Sequence, residues 1–62
     1  MTYKKGDRLA LVHTTDPHTE LKPGDQGTVT GFDAGLSILY VAWDSGSGLS
    51  MLLADGDEVR PA

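Results

Sequence analysis

The stretch Lys22-Pro23-Gly24-Asp25-Gln26-Gly27-Thr28-Val29 holds the densest turn chemistry of the chain and runs straight into strand-forming residues. Pro23 presets φ for the first central position of a β-turn, and Gly24 can take the positive φ that a type II turn needs next. Gly27 brings no Cβ to the point where the backbone enters Thr28-Val29-Thr30. A corner of this kind predicts a β domain, and the other segments are placed relative to it.

On its N-terminal side, Gly6-Asp7 sets a tight entry to Arg8-Leu9-Ala10-Leu11-Val12. Strand alternation puts Leu9 and Leu11 on one face and Arg8 and Ala10 on the other. The ten residues 13–22 form a polar loop without periodicity, in which Asp16-Pro17 enforces an extended or turn conformation. That is long for a hairpin in so short a chain, and such loops often carry recognition. On the C-terminal side, residues 26–32 read as a second strand, Asp33-Ala34-Gly35 as its turn, and residues 36–43 as a third strand rich in β-branched and aromatic side chains. Asp44-Ser45-Gly46-Ser47-Gly48 returns the chain into a fourth strand at residues 49–53. Residues 54–57 turn again into Glu58-Val59-Arg60, and Pro61 is expected to stop that last strand. No helical apolar stripe and no internal repeat stands out.

Five short strands with one long loop after the first predict an all-β fold, a small five-stranded SH3-like barrel forming a single domain over residues 1–62. Inward parity selects Leu9, Leu11, Val29, Leu39, Val41, Trp43, Leu49, Met51 and Val59 as its core.

With 62 residues and no cysteine, the chain has neither disulfides nor thiolate metal sites to support a small core. A cytoplasmic location is expected, since there is no apolar run of signal-peptide or membrane-spanning kind. The net charge of −4 is uneven. Up to residue 22, Lys4, Lys5, Arg8 and Lys22 face Asp7, Asp16 and Glu20, whereas beyond it six acids face Arg60 alone. That balance disfavours nonspecific nucleic-acid binding, which depends on cations displacing phosphate counterions.

Taken together, Tyr3-Lys4-Lys5-Gly6-Asp7-Arg8, His13-Thr14-Thr15-Asp16-Pro17, the corner from Lys22 to Val29, and Trp43-Asp44-Ser45-Gly46-Ser47 resemble a small bacterial and phage family known only as a domain of unknown function, DUF4314. The resemblance covers nearly the whole chain and implies a compact SH3-like module without an assigned activity. More loosely, Gly24-x-x-Gly27-x-Val29 is similar to the turn of KOW and Tudor-like barrels, which bind RNA, ribosomal components or protein tails. The aromatic cage of Tudor domains is not evident, because Tyr3, Phe32, Tyr40 and Trp43 are scattered along the chain.

Chemistry-bearing residues are sparse. His13 and His18, with Asp16 and Glu20, could offer zinc ligands, but their spacing matches no strong zinc pattern and a solvated loop is the simpler reading. Asp25, Asp33, Asp44 and Asp55 sit where Asp supports turns. The serines lack a nucleophile elbow, and Gly46-x-Gly48 lacks the lysine and helix N-terminus of a phosphate loop. No enzymatic activity and no cofactor is expected.

Two surfaces remain. If Leu39, Val41 and Trp43 face inward, Leu36, Ile38, Tyr40 and Ala42 face out, and a strand apolar on both faces is usually covered on both. Phe32 and Leu52 are expected to extend this row, and His13 and His18 to add loop contacts. A non-enzymatic module binding protein through the long loop and the apolar outer face is the leading expectation, with a homodimer its simplest form. The alternative is a KOW-like accessory module that meets nucleic acid through a basic edge of Lys4, Lys5, Arg8 and Lys22.

Overall fold

In the computed structural model, which describes residues 3–62, the corner at Lys22 forms as its sequence predicts. The Asp25 N–H donates to the Lys22 carbonyl at 3.0 Å, and Gly24 stands at φ 97° between them. The Asp25 carboxylate closes the turn from the other side, accepting the Lys22 N–H at 3.0 Å.

Lys4-Lys5-Gly6-Asp7 repeats this construction, a likeness of two four-residue turns that the sequence reading does not single out. Asp7 N–H donates to the Lys4 carbonyl at 3.0 Å, Lys4 N–H donates to Asp7 Oδ2 at 2.9 Å, and Gly6 has φ 95°. The two turns launch β1 (Arg8–His13) and β2 (Gln26–Asp33), which pair antiparallel with Leu9 opposite Gly27. Each turn then clamps the partner strand. Gly6 N–H bonds the Val29 carbonyl at 2.7 Å and Val29 N–H the Asp7 carbonyl at 2.8 Å. Gly24 N–H bonds the Leu11 carbonyl and Leu11 N–H the Asp25 carbonyl, both at 2.8 Å. Residues eighteen apart thus play the same part, and the ladder has a local two-fold symmetry.

The remaining strands are β3 (Ile38–Trp43), β4 (Met51–Leu52) and β5 (Glu58–Pro61), with a turn of 3-10 helix at Leu53–Asp55. They form one antiparallel sheet in the order β4-β3-β2-β1-β5. The fold is therefore all-β and five-stranded as expected, but the sheet does not close into a barrel: among the described residues no ladder joins β4 to β5.

Strand limits depart from expectation where other partners take the backbone. The fourth strand is only two residues long, because the Trp43 indole N–H takes the Leu49 carbonyl at 2.8 Å and Leu53 begins the helical turn. Leu36 lies in a turn rather than in β3, and Ser37, not Gly35, adopts the left-handed φ of 54° there. Pro61 does not end the last strand but belongs to it, opposite Leu9. The Ala62 N–H donates to the Arg8 carbonyl, so the bonded pairs alternate through Ala10 and Arg60 and the Pro61 nitrogen turns toward the free edge. A missing N–H costs nothing in that place and blunts an exposed edge.

The core holds Leu9, Leu11, Val29, Leu39, Val41, Trp43 and Met51, all expected, with Leu49 and Val59 packed at its margin as half-buried residues. Burying side chains of this size stabilises by roughly 1.5–3 kcal/mol each before chain entropy is counted. Two further members were not expected. Leu21 turns inward from the long loop, and the Ala10 methyl is buried on the other face between Gln26 and Arg60 of the flanking strands.

Candidate functional site

The outer face of β3 is built by register. Ile38 stands between Asp33 of β2 and Leu52 of β4, and Tyr40 lies opposite Gly31. A Cβ at Gly31 would lie 3.6 Å from Tyr40 Cδ2, so the ring rests against the open backbone of its neighbour. The row is exposed, with Tyr40 at 42%, Leu52 at 40%, Ala42 also exposed and Ile38 half-buried; Leu36, expected in it, is exposed at 65% but stands in the turn before β3, cut off from strand alternation by the left-handed Ser37.

Phe32 does not belong to this row. The β2–β3 ladder shifts register between Val29 and Gly31, so Thr30 is an extra residue and the parity of everything after it inverts. Phe32 consequently pairs with the buried Leu39 and packs against the core.

The long loop is held by one buried carboxylate. Asp57, just before β5, is 5% exposed. Its Oδ1 accepts the Thr15 N–H at 2.8 Å, the Thr14 hydroxyl at 3.0 Å and the Thr15 hydroxyl at 3.2 Å, while Oδ2 accepts the Leu52 N–H at 2.8 Å. Burial pushes the Asp57 carboxyl up, but the N–H groups of Thr15 and Leu52 and the two threonine hydroxyls outweigh it and hold it below its ordinary value. Asp57 also donates its own N–H to the Leu52 carbonyl at 3.3 Å, so it occupies both outward backbone groups of the short β4 edge.

Anchored in this way, the loop forms one wall of a cleft of about 540 Å³, facing the connection between β3 and β4. Asp16, His18 and Glu20 stand on the loop side, Ser45 and Ser47 on the other, and Leu21 and Leu49 supply the apolar part. His18 thus lines the cleft, whereas His13 is the last residue of β1 and pairs with Glu58. The structure does not bring the two histidines into one site, and among the described residues no three His, Asp or Glu side chains gather as a metal-holding group.

The basic edge is divided too. Arg8 forms a two-pronged ion pair with Asp44, at 2.8 Å from Nη1 to Oδ1 and 2.6 Å from Nη2 to Oδ2. The same guanidinium donates to Thr28 Oγ1 at 3.0 Å and Gln26 Oε1 at 3.2 Å. The Arg8 hydrogen bonds hold the Asp44 carboxyl below its usual range. Arg8 therefore fastens the strand ends to the Asp44 turn, and Lys4, Lys5 and Lys22 are left as exposed side chains on the two repeated turns. No helix among the described residues is long and apolar enough to cross a membrane.

One family model matches residues 1–61 of the chain, and its description is "Domain of unknown function (DUF4314)". No curated protein and no solved structure matches.

Proposed function

We propose, from the premise that the chain belongs to the DUF4314 family, that it is a non-enzymatic protein-binding module of the cytoplasm which docks its partner on the outer face of β3 and β4. The observation that carries this reading is the exposed pair Tyr40 and Leu52 beside Ile38, with exposed Leu36 in the turn that precedes the strand. Contiguous apolar side chains on an outer face are the usual mark of a contact site, and buried aliphatic and aromatic anchors supply most of the affinity of such contacts. The loop adds polar contacts through His18 at the rim of the cleft. A second copy is the simplest partner, its row meeting the same row across a two-fold axis.

The nucleic-acid alternative has less support, because Arg8 is already held by Asp44 and the other bases are few. The test compares wild type with an Ile38→Lys, Tyr40→Lys double variant, which places two charges in the row and leaves Leu39, Val41 and Trp43 untouched. Sedimentation shows whether wild type self-associates, and affinity capture from host extract with mass spectrometry shows what else it holds. The expected result is an association that the folded double variant loses. Equal association of both proteins would overturn the reading, and retention of RNA that depends on Lys4, Lys5 and Lys22 and falls with salt would replace it with the basic-edge function.

A further inference from the structure

A second candidate surface is the cleft between the long loop and the β3–β4 connection. We propose that it takes an arginine side chain presented by an extended segment of a partner protein, with Asp16 and Glu20 meeting the guanidinium and Leu21 and Leu49 covering its aliphatic stem. This rests on the reading of the domain as a protein-binding module; the cleft shares His18 with that reading but contains no residue of the β3 row.

Four observations support this occupant. The cleft volume of about 540 Å³ falls within the range of small-ligand sites, roughly 300–1,000 Å³, and exceeds what one side chain fills, so an arginine enters with its flanking backbone. Its fixed charge is one-sided: Asp16 and Glu20 line it, with the His18 imidazole as the basic group beside them and no lysine or arginine. Both carboxylates have free acceptor capacity. Asp16 uses Oδ1 for the His18 N–H at 2.8 Å and leaves Oδ2 open, and among the described residues Glu20 forms no hydrogen bond or ion pair. The apolar part is fixed as well: Leu21 is buried, and the Leu49 backbone is pinned by the Trp43 indole through its carbonyl and by Ser47 Oγ through its N–H. A cation on a long apolar stem matches acids above leucines. The planar fork of arginine, with five donors, meets two carboxylates and a serine hydroxyl better than a point-charge ammonium does.

The test is titration of the ¹⁵N-labelled domain with a capped peptide of one arginine flanked by two glycines on each side, against the same peptide with neutral, nearly isosteric citrulline. Saturable amide shifts confined to residues 16–21 and 45–49 are expected for arginine and not for citrulline. An Asp16→Asn, Glu20→Gln variant should bind at least about tenfold more weakly. Asparagine keeps the Oδ1 acceptor for His18, so the loop stays folded, and an unchanged spectrum elsewhere verifies it. Absent or unsaturable shifts, equal shifts with citrulline, or undiminished binding by the variant would each overturn the site. The Ile38→Lys, Tyr40→Lys variant should bind the arginine peptide like wild type. A failure of the cleft and a failure of the β3 row therefore give different results.

Discussion

Replacing Asp57 by asparagine should cost the domain about 2–4 kcal/mol at neutral pH, an estimate built from its hydrogen bonds. Four bonds converge on this carboxylate, three on one oxygen from the long loop and one on the other from β4. An amide of the same size keeps one acceptor and puts an NH₂ donor in place of the second, so a donor must face either the Leu52 N–H or the Thr14–Thr15 group. A hydrogen bond to a charged acceptor contributes about 1.5–3 kcal/mol, and a buried donor left unpaired costs about 1–3 kcal/mol. Losing one such bond and weakening the others gives the stated range after some relaxation of the loop. A chain of this length has a total stability on the order of 3–9 kcal/mol, so the change is a large part of the margin.

The assay is urea unfolding followed by Trp43 fluorescence, for wild type and Asp57→Asn, across a pH series. The folded Asp57 carboxyl lies below its ordinary value of 3.8, so the unfolded chain takes up the proton first as acid is added. Its contribution is therefore fully present above about pH 5 and is lost as pH falls through the lower folded value. The gap between the two proteins should be widest at pH 7 and shrink toward pH 2. Equal midpoints at pH 7, or a gap that stays constant down to pH 2, would refute the reasoning.

Two backbone changes test the corner that organises the chain. Gly27→Ala should destabilise by about 1–3 kcal/mol through crowding, since the new Cβ would stand 2.6 Å from Val41 Cγ1 and 3.0 Å from Trp43 Cε3. An unchanged melting temperature and near-UV signal would show that these side chains yield freely. Gly24→Val should lose more than about 1 kcal/mol for a different reason, because nothing lies within 4 Å of the added Cβ and only the positive φ resists it. A denaturation midpoint equal to wild type would remove the strain argument.

Strand positions, the Pro23-Gly24 corner and most of the core were legible because turn residues and alternation are local signals. What was not legible depended on events distant in sequence. The bulge at Thr30 reverses Phe32, yet Thr30-Gly31 carries nothing that separates a bulged pair from a regular one. Leu21 sits in a polar, aperiodic segment, so its burial has no local signal and depends on how the loop is held between Asp57 and the Lys22 corner. Asp57 itself resembles the turn-forming Asp55 two residues earlier, and nothing in its neighbours announces partners more than forty residues away. Arg8 read as part of a basic edge because its partner Asp44 is thirty-six positions distant. The exposed β3 row was visible by parity, whereas the cleft was not, since it needs two loops brought together.

The repeated turns also bear on how pairing begins and how errors are avoided. Each lysine-to-aspartate corner closes over four residues and can form early, before any distant contact, as local loops do. Joining β1 to β2 then requires closing a span of only about eighteen residues, a modest entropic step. Because the two corners sit at opposite ends of this ladder, a slip of β1 by one residue would release all four clamping bonds together and would turn Leu9 and Leu11 out of the core. Misaligned pairings therefore find no partial hold. The first two strands meet in one alignment or separate.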